Sequence, residues 1–468
     1  MIVATPQPAF IVDHVEAPQE IGLGTMAVNV WVRVGAAHEG ATIGGVAIKV
    51  LSANAGEPEL RIEMRPLDGR FDSVIETAIA TIDTYRWIKA GTRQFEILAR
   101  EPAGTEEAVA KQSIRVKPRL EASDLLLLDG AGRAHAWIGT GAGGFTAGET
   151  FLAGVPSGRP RTIDWNGDKR MDLVVSAQRG DINVLENQGG GRFDVLSQTA
   201  CASPAMDAAP GDFDSDGKLD LVAVTEENTL EIHFSANEDE PQISSLNADA
   251  ELLEVADLDN DGVPEIYVSL TGAGESDVQV WTRSGKNEWS PSLRLPSPPG
   301  GRGKIVALLV HHDRRTRRAR LLIASASSAQ GLLESWGVGA DTESRRGIVC
   351  LGATRFAGPL ATVATGKLAG QNDDAILAAI RRESGAALFS IGEDGIPRSS
   401  GQLSTVPRAM ALVDLDADGD DDLVTAGEDL RLWINVRGES FFEAGESPYR
   451  IGAPVVALFA EDLDERKP

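Results

Sequence analysis

A short apolar run recurs along most of this chain, each time just after a charged position. The runs are Asp124-Leu-Leu-Leu, Asp172-Leu-Val-Val, Asp220-Leu-Val-Ala, Glu265-Ile-Tyr-Val, Arg320-Leu-Leu-Ile, Asp374-Ala-Ile-Leu and Asp422-Leu-Val-Thr. Successive starts lie 48, 48, 45, 55, 54 and 48 residues apart. β-Branched and apolar runs of this length predict strands. A second apolar strand follows each one, usually with a Gly-rich turn such as Gly143-Gly-Phe145, Gly189-Gly-Gly-Arg-Phe193 or Gly438-Glu-Ser-Phe441. Before residue 118 the pattern differs. There Ala27–Val34, Gly45–Leu51, Gln94–Ala99 and Lys111–Lys117 alternate apolar and polar positions, with turn signals at Asp68-Gly69 and Ala90-Gly91. Period-two alternation predicts strands with one buried face, and about seven of them in this span suggest a β-sandwich.

A period near 48 residues accommodates four short strands with their turns, one blade of a β-propeller. Strands precede the charged positions too, among them Arg161-Thr-Ile, Leu253–Ala256, Ile305–Val310 and Met410–Val413, and the last is Val455–Phe459. The first unit begins at Ser123-Asp124 without an inner strand of its own. Placing the C-terminal strand there hides two sheet edges and gives seven blades. The expected fold is therefore all-β: a sandwich over 1–118, then a seven-bladed propeller over 119–468 closed by its C-terminal strand. A second register supports the period. The strand after each apolar run carries Trp137, Phe234, Trp281, Trp336, Phe389 or Trp433, with Leu185 in the remaining unit. Strict repetition favours packing between blades over a ring of sugar platforms.

Four of the turns leading into the apolar runs are acidic. In Asp212–Asp220 carboxylates stand at loop positions 1, 3, 5 and 9 (Asp212, Asp214, Asp216 and Asp220), with Gly217 at the sharp turn of position 6. Asp164–Asp172, Asp257–Glu265 and Asp414–Asp422 repeat the register. Carboxylates this crowded repel one another, and alternate spacing aims them at a shared point. Hard cations such as Ca²⁺ take six to eight oxygen ligands. The spacing is that of the first half of an EF-hand loop, but a strand follows instead of a helix.

The Asp-rich loop, the apolar strand and the Gly-x-Phe turn resemble the FG-GAP and VCBS repeat families, the group that includes the integrin alpha-subunit propeller. The resemblance spans about 350 residues. It implies Ca²⁺ in four loops of a propeller used for adhesion or recognition. The implied ligands are Asp164, Asn166, Asp168 and Asp172; Asp212, Asp214, Asp216 and Asp220; Asp257, Asp259, Asp261 and Glu265; and Asp414, Asp416, Asp418 and Asp422. Position 7 (Arg170, Lys218, Val263 and Asp420) would offer a backbone carbonyl. On ligand charge and ease of the turn, the 414 loop should bind most tightly. The 164 loop, with Asn166 and with Lys169 in place of the turn glycine, should bind most weakly. Mg²⁺ should substitute poorly. The basic turn His312–Arg320, the depleted turn Gly366–Asp374 and the split turn running from Asp462 to Asp124 receive no metal. Ahead of the propeller, Tyr85–Leu98 looks like the last hairpin of bacterial Ig-like domains.

Composition narrows the function. A net charge of −26 argues against nucleic acid and anionic membranes as partners. No apolar run approaches the roughly 20 residues of a membrane helix. Met1–Pro6 lacks the features of a secretory signal, so the chain is expected either to stay in the cytoplasm or to have lost a leader. Family resemblance favours the cell surface or the exterior. Cys201 and Cys350 are expected to be free, buried thiols. The expected function is non-catalytic recognition by a monomer, with a protein or polysaccharide ligand on an end face of the propeller. A lectin would need exposed aromatics, for which Trp165 and Trp289 are the spare candidates. A polysaccharide lyase would need a base, and His14, His38, His135, His233, His311 and His312 show no catalytic spacing.

Overall fold

The computed structural model describes residues 9–22, 27–38, 42–51, 60–84, 91–104, 106–117, 123–139, 145–235, 240–272, 275–285, 287–313, 318–340, 346–368, 375–392, 394–415, 420–436, 440–444, 447–461 and 463. Among these residues every regular element is a strand.

The alternating N-terminal runs form two sheets. One orders Phe10–Glu16, Ala27–Ala36, Ile75–Asp83 and Arg65–Pro66; the other orders Glu20–Gly22, Glu107–Lys117, Gly91–Arg100, Gly45–Val50 and Leu60–Glu63. Alternation places Val30, Val32 and Val34 of the first sheet and Ile48, Ile97 and Ile114 of the second in one apolar cluster. The two sheets thus share a core, as a sandwich requires. Part of the Tyr85–Leu98 hairpin, residues 85–90, lies outside the described residues.

From Asp124 onward the described residues form seven sheets, six of them from consecutive strands. Sheet 2 runs Arg161–Ile163, Asp172–Ser176, Asp181–Asn187 and Phe193–Ala200. Sheet 3 runs Ala205–Gly211, Asp220–Thr225, Thr229–His233 and Gln242–Ser245. Sheet 4 has Asp249–Ala256, Glu265–Gly272, Glu275–Gly285 and Glu288–Leu295, and sheet 5 has Lys304–Asp313, Arg318–Ala326, Gln330–Ala340 and Arg346–Ala357. Sheet 6 has Leu360–Gly366, Ala375–Arg381, Ala386–Ile391 and Pro397–Leu403. Sheet 7 has Ala409–Val413, Asp422–Ala426, Asp429–Val436 and Ser440–Glu443, with Tyr449–Arg450 also paired to its third strand. Sheet 1 breaks the sequence order: Phe145–Leu152, Arg133–Gly139, Asp124–Asp129, then Val455–Glu461 from the far end of the chain.

The second strand of each sheet is apolar on both faces because each sheet lies between two others. Leu126 and Leu128 pack against Leu173 and Val175 of sheet 2, while Leu125 and Leu127 pack against Val413 and Val424 of sheet 7. Similar clusters join sheets 2 and 3, 3 and 4, 4 and 5, 5 and 6, and 6 and 7. The cycle of shared cores therefore closes, which is β-propeller packing. Residues of all seven innermost segments, among them Arg159, Asp207, Leu253, Leu308, Val363, Met410 and Leu458, line a cavity of about 580 Å³.

The aromatic register needs correction at two places. Backbone pairing sets Trp137, Leu185, His233, Trp281, Trp336 and Trp433 opposite the first apolar residue of their sheets, and in sheet 6 it sets Ile391 opposite Ile376, the second residue of its strand. His233 and Ile391 hold the places expected for Phe234 and Phe389. The hairpins between second and third strands differ in length, so no fixed offset marks the register. The packing reading holds for Trp281, Trp336 and Trp433, which are all buried. Trp289 is buried edge-on against Phe213 at 5.4 Å, and Trp165 packs beside the cluster between sheets 2 and 3. Neither is an exposed platform. Both cysteines are free, but Cys201 is only half-buried and Cys350 is exposed.

Candidate metal centres in the acidic turns

Each acidic turn joins the first strand of a sheet to the second. Its ninth position is a carboxylate that starts the second strand and is buried there: Asp172, Asp220, Glu265 and Asp422. The backbone supplies its partners. Asp220 accepts the Phe213 N–H at 2.9 Å and the Ser235 N–H at 2.7 Å. Asp172 accepts Trp165 and Asn187, and Asp422 accepts Leu415 and Asn435, from the same relative places. Glu265, one methylene longer, accepts the Leu258 N–H at 3.0 Å and the Tyr267 hydroxyl at 2.9 Å. Asp124 completes the set across the chain ends, accepting Gly139 at 2.7 Å and Leu463 at 2.8 Å. Leu463 stands where Phe213 and Leu258 stand in their own turns, and like Phe213 it is fully buried. Where it is an aspartate, the ninth carboxylate is thus a clamp that satisfies two backbone donors, one in the turn and one at or close to the end of the third strand; Glu265 keeps the first and takes the Tyr267 hydroxyl in place of the second.

The first position closes the turn. Asp212 accepts the N–H groups of Asp216 and Gly217, and Asp257 accepts those of Asp261 and Gly262. Positions 4 and 6 are both left-handed: Ser215 and Gly217 at φ 64° and 85°, Asn260 and Gly262 at 60° and 89°. In the 164 turn the glycine has moved to position 4, and Lys169 takes φ 73° at position 6. A lysine held there costs about 1–2 kcal/mol that a glycine does not.

Two turns gather their carboxylates. Ligand oxygens of Asp212, Asp214 and Asp220 lie within 4.8 Å of one another, and so do those of Asp257, Asp259 and Glu265. Position 5 is not in either group: Asp216 and Asp261 are exposed and accept the N–H two residues on, from Lys218 and Val263 at 2.8 Å. Arg283 of sheet 4 holds the 212 turn in place, donating to Ser215 Oγ at 2.8 Å and the Asp214 carbonyl at 3.0 Å. The 164 turn carries a cation of its own. Arg170, expected to offer only its carbonyl, reaches Asp168 at 2.5 Å and donates to the Asn187 carbonyl at 2.7 Å. Asn166 donates to Asp168 and to Glu186. Asp416 and Asp418 lie outside the described residues, so only the two ends of the 414 turn are described, Asp414 at one and Asp420 and Asp422 at the other; Asp422 holds its clamp on the Leu415 and Asn435 N–H groups.

The electrostatics follow. Burial pushes the Glu265 carboxyl up to about 7 against its two hydrogen bonds. Burial also raises Asp220, and burial with repulsion from Asp261 and Asp257 raises Asp259. At Asp168 burial acts upward too, but the Arg170 N–H, Asn166 and the guanidinium outweigh it and hold the carboxyl below its usual range. All-oxygen, mostly anionic donor sets in the 212 and 257 turns fit a hard divalent cation. The 164 turn fits one poorly, because its arginine already holds the charge.

The family of FG-GAP-like repeats matches residues 164–223 and 212–268, so the chain carries these repeats over the first three acidic turns. Comparison with curated protein sequences finds no match. Among solved structures, a protein from Lactobacillus plantarum is similar over 73% of this chain and 99% of its own, with a TM-score of 0.51 and 14% identity, and so shares the fold. Two structures of BBS1N in complex with ARL6DN, soaked with mercury and with lead, cover 66% and 64% of this chain and 91% and 87% of theirs. Their identities are 10% and 11% and their TM-scores 0.42 and 0.40.

The raised Glu265 carboxyl makes stability without metal depend on pH. Its folded-state value lies above its ordinary one, so the fold favours the protonated form. That contribution is complete at acid pH and is lost as pH rises through about 7. In chelator, the melting temperature of Glu265→Gln should therefore fall less than that of the parent between about pH 5 and pH 8. Parallel slopes in the two proteins would mean that Glu265 ionises as an ordinary carboxylate.

Proposed function

We propose that this chain is a non-catalytic recognition or adhesion protein, built as a seven-bladed β-propeller behind an Ig-like sandwich, with Ca²⁺ held structurally in its acidic turns. The observation that carries the reading is the gathering of Asp212, Asp214 and Asp220, and of Asp257, Asp259 and Glu265, in adjacent sheets. Calcium would neutralise carboxylates that burial and mutual repulsion otherwise disfavour, and would tie the turn between first and second strands. The 414 turn has the same carboxylate positions and belongs with these two. The 164 turn is the weakest member, since Arg170 competes for Asp168.

Solvent-open sets with few gathered carboxylates suit the weak affinities of extracellular modules, on the order of 10⁻⁴–10⁻³ M. This supports a place outside the cell or on its surface. The partner would be a protein or a polysaccharide on an end face of the propeller, where the turns project. Burial of Trp289 and packing of Trp165 weigh against a sugar site built on those two rings.

Calcium-dependent melting tests the metal. Each site held at about 100-fold over its Kd stabilises by about 2.7 kcal/mol. Asp214→Asn and Asp259→Asn should each remove a distinct part of the calcium-induced rise in melting temperature. Asp168→Asn should leave that rise nearly intact while lowering the melting temperature in chelator, because it breaks the Arg170 pair. No rise with Ca²⁺ in the parent, or a rise abolished by Asp168→Asn alone, would refute the assignment.

A further inference from the structure

Sheet 3 buries a carboxylate that, among the described residues, has no arginine or lysine paired with it, only an imidazole. Glu231, on the third strand, is fully buried, and both its oxygens lie near the Ala202 N–H at 3.1–3.2 Å. Its other contacts are Thr229 Oγ1 at 3.2 Å and His233 Nε2 at 3.3 Å. His233 Nε2 lies 3.8 Å from Cys201 Sγ. Ligand atoms of Cys201, Glu231 and His233 all fall within 4.8 Å of one another. The thiol comes from the crossover out of sheet 2, the other two from one strand at i and i+2, which a strand sets on one face.

Sheet 5 shows how the same fold handles the same problem. Trp336 stands where His233 stands, and Glu334 two residues earlier is also fully buried. There the crossover from the preceding sheet supplies Arg302, which grips Glu334 at 2.6 and 2.9 Å. In sheet 3 the crossover supplies a cysteine, and the aromatic place holds an imidazole. Burying a carboxylate is costly and a paired cation offsets that cost; here a thiol and an imidazole nitrogen converge on it.

We propose that Cys201, Glu231 and His233 form a site for a zinc-like divalent cation, separate from the acidic turns. Sulfur, nitrogen and one carboxylate are the donors that borderline-soft cations take in preference to Ca²⁺. The separations of 3.3 and 3.8 Å are those of neighbouring donors around one tetrahedral ion with bonds of about 2.0–2.3 Å. Half-exposure of Cys201 leaves the site open to solvent for entry and for a further ligand. The cation replaces the thiol proton and supplies the charge that Arg302 supplies in sheet 5.

The test uses the full-length protein freed of metal, titrated with Zn²⁺ and with Co²⁺. The expected result is one equivalent of Zn²⁺ that a thousandfold excess of Ca²⁺ does not displace, and a thiolate-to-cobalt charge-transfer band. Cys201→Ser should abolish the band, His233→Gln should weaken binding at least tenfold, and Cys350→Ser should change neither. In the unmutated protein Zn²⁺ should slow alkylation of Cys201 and not of Cys350, which keeps the test open should a variant fail to fold. Absence of the band, zinc binding that survives both site variants, or equal alkylation of Cys201 with and without Zn²⁺ would overturn the proposal. The acidic turns do not enter this result, so its failure leaves the calcium reading standing.

Discussion

Removing Val455–Pro468 should leave a chain that no longer accumulates as a soluble monomer. The segment includes the innermost strand of sheet 1, Val455–Glu461, paired along Asp124–Asp129 from Asp124↔Glu461 to Asp129↔Val455. Its register is that of the other sheets, where the ninth position pairs with the residue before the first: Asp172↔Ile163, Asp220↔Gly211, Glu265↔Ala256 and Asp422↔Val413. Val455, Leu458 and Leu463 are all buried. Each such side chain contributes about 1.5–3 kcal/mol on burial. Three of them together rival the 5–15 kcal/mol net stability typical of a domain. The loss also bares the edge of Asp124–Asp129, which then invites pairing with other chains, and leaves Asp124 without its Leu463 donor. Size-exclusion profiles and melting curves of the truncated chain check this. Grafting Val455–Leu463 ahead of Ser123 through a flexible linker should restore a soluble monomer, because every other sheet already has its inner strand in that order. A soluble truncation melting with the parent would show that this strand does not hold the ring together.

What could be read from the chain divides by how local the physics is. The apolar second strands were legible because each is buried on both faces, which leaves a run of Leu, Val and Ile that needs no partner to be recognised. The closing strand was legible because the turn register survives being split between Leu463 and Asp124. The acidic turns showed their positions but not their division of labour. Spacing treats positions 1, 3, 5 and 9 as equal, whereas Asp216 and Asp261 turn to their own backbone and an aspartate at position 9 clamps two N–H groups. Arg170 was visible two residues after Asp168, and charge arithmetic could have paired them. The Cys201 cluster left no local trace. Cys201 lies about 30 residues before Glu231 and His233 in sequence, and the three meet only because the hairpin of sheet 3 sets His233, not Phe234, opposite Leu221.

Glu334→Gln should be among the most destabilising single changes in the molecule. Arg302 and Glu334 have fully buried side chains and meet through two hydrogen bonds at 2.6 and 2.9 Å. Arg302 also donates to the carbonyls of Leu295 and Pro296 and lies 5.7 Å from the ring of Trp336, whose indole N–H reaches Glu334 at 3.3 Å. Neutralising the carboxylate strands a guanidinium between sheets 4 and 5, and breaking such a pair costs about 3–5 kcal/mol. The double change Arg302→Met with Glu334→Leu removes both charges and fills the space, so it should recover most of that loss, since hydrophobic replacements of buried pairs are often neutral. Glu231→Gln supplies the contrast: it removes a buried charge that faces an imidazole and no guanidinium. In chelator it should therefore cost much less than Glu334→Gln, or even stabilise. Melting curves of the three variants in chelator decide the matter. If Glu334→Gln melts with the parent, or the double variant melts below it, then the pair's charges are not what sheet 5 relies on there. The crossover of sheet 3 could then bury Glu231 without the need for any cation.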